Sequence, residues 1–372
     1  MIKFLDLQKI NAPYQAEFHQ KMQQVLDKGW FILGDEVKQF ENNFVTYMHA
    51  NYCVGVGNGL DALVLIFKGF MQLGLMQKGD EVIVPANTYI ASILAVLQAG
   101  LVPVLVEPKI ETYNINPDLI EEKITFKTKA ILPVHLYGQL CEMDKICEIA
   151  KKHNLLVVED AAQSHGAKFN NQQSTINNLK SASAYSFYPG KNLGALGDGG
   201  AITTNDEELA KVLFSLRNYG SEKKYHNEFV GVNSRLDELQ AAFLNVKLPF
   251  LEADNQKRRA IANRYITEIK NDKILLPKLL WQETRPSNHV FHLFVIRTEK
   301  RDALQEYLKQ HNIETMIHYP IPPHKQKAFE SWNCLSFPIT EKIHREVLSL
   351  PMSSVLTEEE VSKIIHFINQ YE

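Results

Sequence analysis

One lysine, Lys191, stands in the run Ser186-Phe187-Tyr188-Pro189-Gly190-Lys191-Asn192-Leu193-Gly194, with Gly197-Asp198-Gly199-Gly200 just beyond. The stretch is too rich in glycine and proline to form a regular element. An amine on such a loop serves a phosphate, decorates a surface turn, or attacks a carbonyl carbon to form a Schiff base. The triphosphate pattern GxxxxGK[ST] fails, because Asn192 follows the lysine and no glycine stands at the required spacing. The segment alone leaves the turn and the Schiff base level.

The balance changes upstream, where an apolar strand pattern ends in Glu159-Asp160-Ala161-Ala162-Gln163-Ser164-His165-Gly166. Ligands of open parallel sheets bind at the carboxyl ends of strands, so Asp160 and Gln163 are expected to face the same crevice as Lys191. A pyridoxal ring accepts electrons well only with its nitrogen protonated, and a carboxylate beside that nitrogen keeps the proton in place. Asp160 suits that role, and Gln163 suits donation to the ring's phenolate oxygen. An isolated strand-end aspartate would more simply cap the next turn. Such a cofactor also carries a phosphate, which backbone N–H groups at a helix start hold well. Gly55-Val56-Gly57-Asn58-Gly59-Leu60-Asp61 supplies that kind of start, and Ser186 offers a hydroxyl. Tyr89, opening a later helix, is placed to stack on a ring or simply to pack in the core.

These residues need a scaffold, and the chain from about 58 to 205 alternates helical and strand patterns, as in a parallel sheet flanked by helices. Helices are expected at 61–75, 89–99, from Asn116, and at 143–153; strands at 81–85, 102–106, 130–134 and 155–159. After 205 come helices at 206–217 and 236–269, the latter broken near Pro249, a candidate hinge. A strand at 290–296, a helix at 301–310 and a strand at 313–317 complete an α+β C-terminal part. The expected organisation is a large domain, 1–250, and a smaller one, 251–372, with the N-terminal segment packing on the smaller.

Composition narrows the function classes. The 372 residues are 45% hydrophobic and 22% charged, ordinary for packed globular layers. Lys+Arg 40 against Asp+Glu 43 gives a net charge of -3, no field for a polyanion, so nucleic acid is not an expected partner. No signal-peptide or membrane-spanning pattern is read, so a cytoplasmic address is expected. Four scattered cysteines and thirteen scattered histidines show no metal spacing; reduced thiols and no metal are expected.

Taken together, Glu159-Asp160-Ala161-Ala162-Gln163 with His165-Gly166-Ala167, Ser186-Phe187 with Lys191, and Gly197-Asp198-Gly199-Gly200 resemble the DegT or StrS-type sugar aminotransferases. The likeness runs from Phe4-Leu5-Asp6-Leu7 and Gly34-Asp35-Glu36-Val37 into the C-terminal part. It implies an aspartate-aminotransferase-like fold, pyridoxal phosphate fold type I. It further implies that Lys191 carries pyridoxal 5'-phosphate, Asp160 pairs with the ring nitrogen, Gln163 meets the ring oxygen, and Tyr89 stacks. Gly59, Leu60 and Ser186 would hold the phosphate. The family closes the site with a second subunit through the asparagine of a GxNxR motif, here Gly231-Val232-Asn233-Ser234-Arg235, so a homodimer is implied; without the likeness Asn233 reads as part of a helix cap.

The resemblance also frames the substrate. Leu60 replaces the Thr or Ser common after the phosphate-loop glycine, so only backbone donation remains there. Tyr188 replaces the histidine frequent in enzymes acting at sugar C4. Tyr188-Pro189-Gly190-Lys191 and the pair His318-Tyr319 look more like enzymes that aminate C3 of a dTDP-linked 3-keto-6-deoxyhexose, with L-glutamate as donor, for deoxyamino sugars of lipopolysaccharide or S-layer glycans. Tyr188, His318 and Tyr319 are therefore the expected sugar contacts, His318 having a plain reading as a satisfied strand-end residue. The alternatives are a C4-aminotransferase on a UDP- or dTDP-4-keto-sugar and a catalytically silent scaffold of the same fold.

Overall fold

Seven short strands with few polar residues line up as one sheet in a computed structural model that describes residues 1–168, 179–223, 225–278 and 288–372. They are β1 (Tyr52–Val56), β2 (Glu81–Pro85), β3 (Val102–Val106), β4 (Thr128–Ile131), β5 (Leu156–Asp160), β6 (Ser181–Ser186) and β7 (Gly200–Thr204), in the order β1-β7-β6-β5-β4-β2-β3. Only β7 runs against the rest, pairing antiparallel with both β1 and β6. The carboxyl ends of the other six therefore share one edge. β5 is buried along its whole length, as a strand with helices on both faces must be.

The connections set where the site lies. After β1 the helix Gly59–Gln72 begins, capped by the Asn58 side chain, which accepts the Asp61 N–H at 2.8 Å. It buries Leu63, Leu65, Ile66, Phe67 and Phe70, each stabilising the fold by about 1.5–3 kcal/mol relative to exposure. Gly69 lets the helix Glu207–Leu216 approach, since a Cβ there would sit 2.7 Å from Leu209 Cδ1. After β2 comes the helix Ile90–Gln98, and Met143–His153 lies between β4 and β5.

A second core gathers Ile2 with Ile261, Tyr265, Phe294, Ile364 and other residues of the C-terminal part. Ile2 bridges to Ile313, and the strands Phe294–Arg297 and Val347–Leu350 pair antiparallel. A bridging cluster of Val134, Leu136, Tyr137, Leu293, Val295 and Val347 ties this part to the loops at the carboxyl edge of the sheet.

Several expectations need correction. The helix expected from Asn116 starts there, with Asn116 as its cap and Pro117 in its first turn, but as two short 3-10 pieces, Pro117–Leu119 and Glu121–Lys123, because the buried Ile120 anchors the chain on its short way to β4. Residues 313–317 form no strand; Ile313 and Met316 make single bridges, to Ile2 and Ser349. The strand expected at 290–296 is confined to Phe294–Arg297, since Val290 and Leu293 donate instead to the carbonyls of Gly138 and Tyr137. The long helix is indeed interrupted at Pro249, by the turn Leu248–Phe250 between Glu238–Lys247 and Leu251–Glu268. No helix among the described residues is long and apolar enough to cross a membrane.

One remote contact fixes the helix Asp35–Met48, whose first turn begins at Gly34 and so lacks a capping side chain. The buried Glu238 supplies it, accepting the N–H groups of Gly34, Glu36 and Val37 at 2.7, 3.0 and 3.1 Å. Glu238→Ala strands three buried donors, so a destabilisation of about 3 kcal/mol or more is expected in urea unfolding. A loss below about 1 kcal/mol would mean that the cap carries little weight.

Candidate active site

Four loops meet at the carboxyl edge of the sheet: Gly57–Asn58 after β1, the Tyr89 turn after β2, the turn after Asp160, and the Lys191 loop after β6. Their approach is close enough to dictate glycine. A Cβ on Gly200, the first residue of β7, would lie 2.5 Å from the Asn58 carbonyl carbon and oxygen. A Cβ on Gly59 would lie 2.7 Å from Ser186 Cβ. The helix start and Ser186, distant in sequence, therefore share one concavity because those residues lack side chains.

The helix start is an anion site in waiting. Asn58 takes the Asp61 N–H, and the Ala62 N–H closes on the Asn58 carbonyl at 3.1 Å. The N–H groups of Gly59 and Leu60 are then without a partner among the described residues. Two free donors at a helix N-terminus, with Ser186 against them, fit a phosphate.

Asp160 closes β5 and is buried. Its Oδ2 accepts from Ser92 Oγ at 2.7 Å and its Oδ1 from the Ala162 N–H at 3.2 Å, so it also caps the following turn. Ser92 has spent its proton on Asp160, so in its 2.8 Å contact with Thr88 Oγ1 the threonine is the donor. Sequence reading missed Thr88 and Ser92, although a serine inside the apolar run Ile90–Leu97 was a signal.

Gln163 is oriented by its neighbours. Its Oε1 accepts the Tyr137 N–H at 2.6 Å, which leaves Nε2 as a donor, one bond of which reaches Tyr319 Oη at 3.2 Å. The Tyr89 and Tyr319 rings stand 5.3 Å apart. Tyr137 Oη donates to the His318 carbonyl, and His318 Nδ1 lies 2.9 Å from Ser349 Oγ. His318 and Tyr319 thus reach the site edge from the C-terminal part, whereas Tyr188 stands exposed on the Lys191 loop. Asn233 is exposed and is no helix cap, since the helix Glu238–Lys247 has Asp237 at that position.

The Lys191 loop is held from behind. Asn192 donates to Asn255 Oδ1 at 2.8 Å, its Oδ1 lies 3.0 Å from His292 Nδ1, and Lys247 Nζ donates to the Gly194 carbonyl at 2.5 Å. Burial pushes the Lys191 amine down to about 8, against the pull of the Asp160 carboxylate, which raises it. Burial, with the Lys191 charge beside it, takes His165 down to about 3 and His318 to about 4, and lowers His292 well below its ordinary value. Those three rings are neutral near pH 7. An amine close to neutrality, a carboxylate it senses, an oriented amide donor and a phosphate cradle together fit pyridoxal phosphate: Lys191 would hold the carbonyl carbon, Asp160 the ring nitrogen, and Gly59 and Leu60 the phosphate.

Comparison with known proteins supports the cofactor. The profile of the DegT/DnrJ/EryC1/StrS aminotransferase family matches residues 13–369. The dTDP-3-amino-3,6-dideoxy-alpha-D-galactopyranose transaminase of Aneurinibacillus thermoaerophilus is 59% identical over 371 residues, 100% of this chain and 99% of its own. The X-ray structure of S. venezuelae DesV in complex with a ketimine intermediate superposes with a TM-score of 0.93 at 43% identity, covering 99% of this chain and 98% of that one. Bacillus subtilis NtdA with bound cofactor PMP gives 0.90 at 34% identity, covering 99% and 84%.

The lowered amine has a measurable sign. In the chain freed of cofactor, Lys191 loses its proton near pH 8, whereas an ordinary lysine keeps it to about 10.5. Between those values the unfolded chain binds the extra proton, so the cost of burying the charge is full below pH 8 and fades as pH rises. Acetylation of Lys191, followed by mass spectrometry across pH, is expected to show a midpoint near 8. Asp160→Asn removes the charge that raises it and should move the midpoint lower; an upward move would contradict the assignment.

Proposed function

The chain belongs to the DegT/DnrJ/EryC1/StrS aminotransferase family, and on that premise we propose that it transfers the amino group of L-glutamate to C3 of a dTDP-linked 3-keto-6-deoxyhexose, giving a 3-amino-3,6-dideoxyhexose nucleotide. It is an enzyme, an aminotransferase, and its cofactor is pyridoxal 5'-phosphate. The substrate reading is carried by one observation: 59% identity, end to end, with a transaminase named for a dTDP-3-amino-3,6-dideoxygalactose. The His318-Tyr319 pair beside Gln163 and Tyr89, with Tyr188 on the lysine loop, supports it.

When bound, the cofactor supplies the carbon that accepts the amino group and a ring that takes up electrons. Lys191 Nζ, close to neutrality because it is desolvated, serves as the base that lifts the α-proton of glutamate. In the second half-reaction the same nitrogen returns a proton to C3 of the sugar. Asp160, steadied by Ser92 and the Ala162 N–H, holds a proton on the ring nitrogen through both halves. Gln163 Nε2 donates to the ring oxygen, Tyr89 covers the ring, and Gly59, Leu60 and Ser186 hold the phosphate. Tyr319, a phenol that burial keeps protonated, donates or accepts at the sugar with His318 and Tyr188.

The exposed Asn233 and its motif support a homodimer in which this residue reaches the partner's cofactor phosphate. Two hydrophobic cores support a division near residue 250, with the first residues packing on the smaller unit. A C4-aminotransferase is the second reading, weakened by Tyr188.

Two outcomes are expected. Incubation with glutamate and a panel of dTDP- and UDP-linked keto-sugars should give, by NMR, an amine at C3 of the dTDP-3-keto-6-deoxyhexose; turnover of 4-keto-sugars alone would establish the alternative. Asp160→Asn should slow the glutamate and sugar half-reactions alike in single-turnover absorbance, by about 100-fold or more. A defect confined to one half would remove Asp160 from the ring nitrogen.

A further inference from the structure

Ser234 is buried beside the phosphate cradle and has no part in the roles given above. Its Oγ accepts the Gly57 N–H at 3.0 Å and donates to Asp61 Oδ2 at 2.7 Å. These directions are forced, because a backbone N–H only donates and a carboxylate only accepts. Gly57 and Asp61 flank the two free donors, Gly59 and Leu60. A Cβ on Gly57 would meet Ser234 Oγ at 3.2 Å and Asp61 Oδ2 at 3.5 Å, so the three groups are tightly fitted.

The brace is itself anchored. The Ser234 N–H donates to the Arg217 carbonyl at 3.0 Å, and Arg217 Nη1 donates to the Gly55 carbonyl at 2.7 Å and to Glu41 Oε1 at 2.5 Å. Glu41 Oε1 in turn accepts the Gly55 N–H at 2.8 Å. Both ends of the loop between β1 and its helix are thereby tied to one buried network.

Asp61 poses an electrostatic problem. It sits in the first turn of the helix, where the free N–H groups and the dipole attract an anion, and its own carboxylate is an anion in that same turn. We propose that Ser234 is a positioning residue for the cofactor phosphate: it holds the Asp61 carboxylate to one side and fixes Gly57, so that the Gly59 and Leu60 N–H groups stay open to the phosphate. The proposal rests on the reading of Gly59 and Leu60 as the phosphate site. It matters more in this chain because Leu60 brings no hydroxyl, so backbone donors whose direction must be held carry that side of the contact.

The test titrates the full chain, freed of cofactor, with pyridoxal 5'-phosphate and with pyridoxal, which lacks the phosphate. Ser234→Ala is expected to weaken binding of the phosphate form by about tenfold or more and to leave pyridoxal unchanged. Adding Asp61→Asn should restore most of the loss, Ser234→Thr should keep binding within about threefold, and Asp61→Asn alone should bind at least as tightly as the parent. Equal weakening of both aldehydes, or no recovery on removing the Asp61 charge, would reduce Ser234 to a structural role. Should the unmodified chain bind pyridoxal as tightly as its phosphate, the phosphate site itself would be misplaced, a failure separate from that of Ser234.

Discussion

A lysine amine that keeps its proton is neither nucleophile nor base, and the desolvation of Lys191 is the constraint on which the rest of the site depends. Burial brings the amine down to about 8 while the Asp160 carboxylate pulls the other way. The compromise leaves an amine that exchanges its proton near neutral pH, as a group that takes and returns protons must. The surrounding histidines contribute by staying neutral: charged, His165, His292 and His318 would lower the amine further and compete for anions.

The sheet makes that environment possible through close contact rather than through a deep pocket in one element. Asp160 and Ser186 end adjacent parallel strands, and Gly200, at the start of β7 between β6 and β1, lets Asn58 approach Ser186. The fold thus brings an acid, an amine loop and a helix N-terminus to one edge, the helix start lying more than 100 residues before the other two in the sequence. The C-terminal part then lays Tyr319 against Gln163 and Tyr89, so the expected sugar side and the expected cofactor side meet at a single glutamine.

Much of this was legible in the sequence. The strands Glu81–Pro85 and Val102–Val106 and the helices Met143–His153 and Arg301–Gln310 follow their apolar patterns residue for residue. That Asp160, Gln163, Ser186 and Lys191 lie at the carboxyl edge of the sheet is readable because strand ends and the loops that follow them carry local signals. The strands β6 and β7 have no legible strand pattern, since Ser181–Ser186 and Gly200–Thr204 are built largely of small residues that carry little hydrophobic signal. Residues 313–317 alternate like a strand yet find only single bridging partners, a tertiary outcome that periodicity does not encode. Glu238 capping Gly34 and Ser234 holding Gly57 are contacts across 204 and 177 residues, which no window along the chain can show.

The most direct test of the account is to reduce the enzyme, as isolated with its cofactor, with borohydride and map the modified peptide. The buried Lys247 is another lysine whose amine burial lowers to about 8, so the experiment offers a real choice. The account predicts one pyridoxyl group per chain, on Lys191. A label on Lys247 or on any other lysine would contradict it.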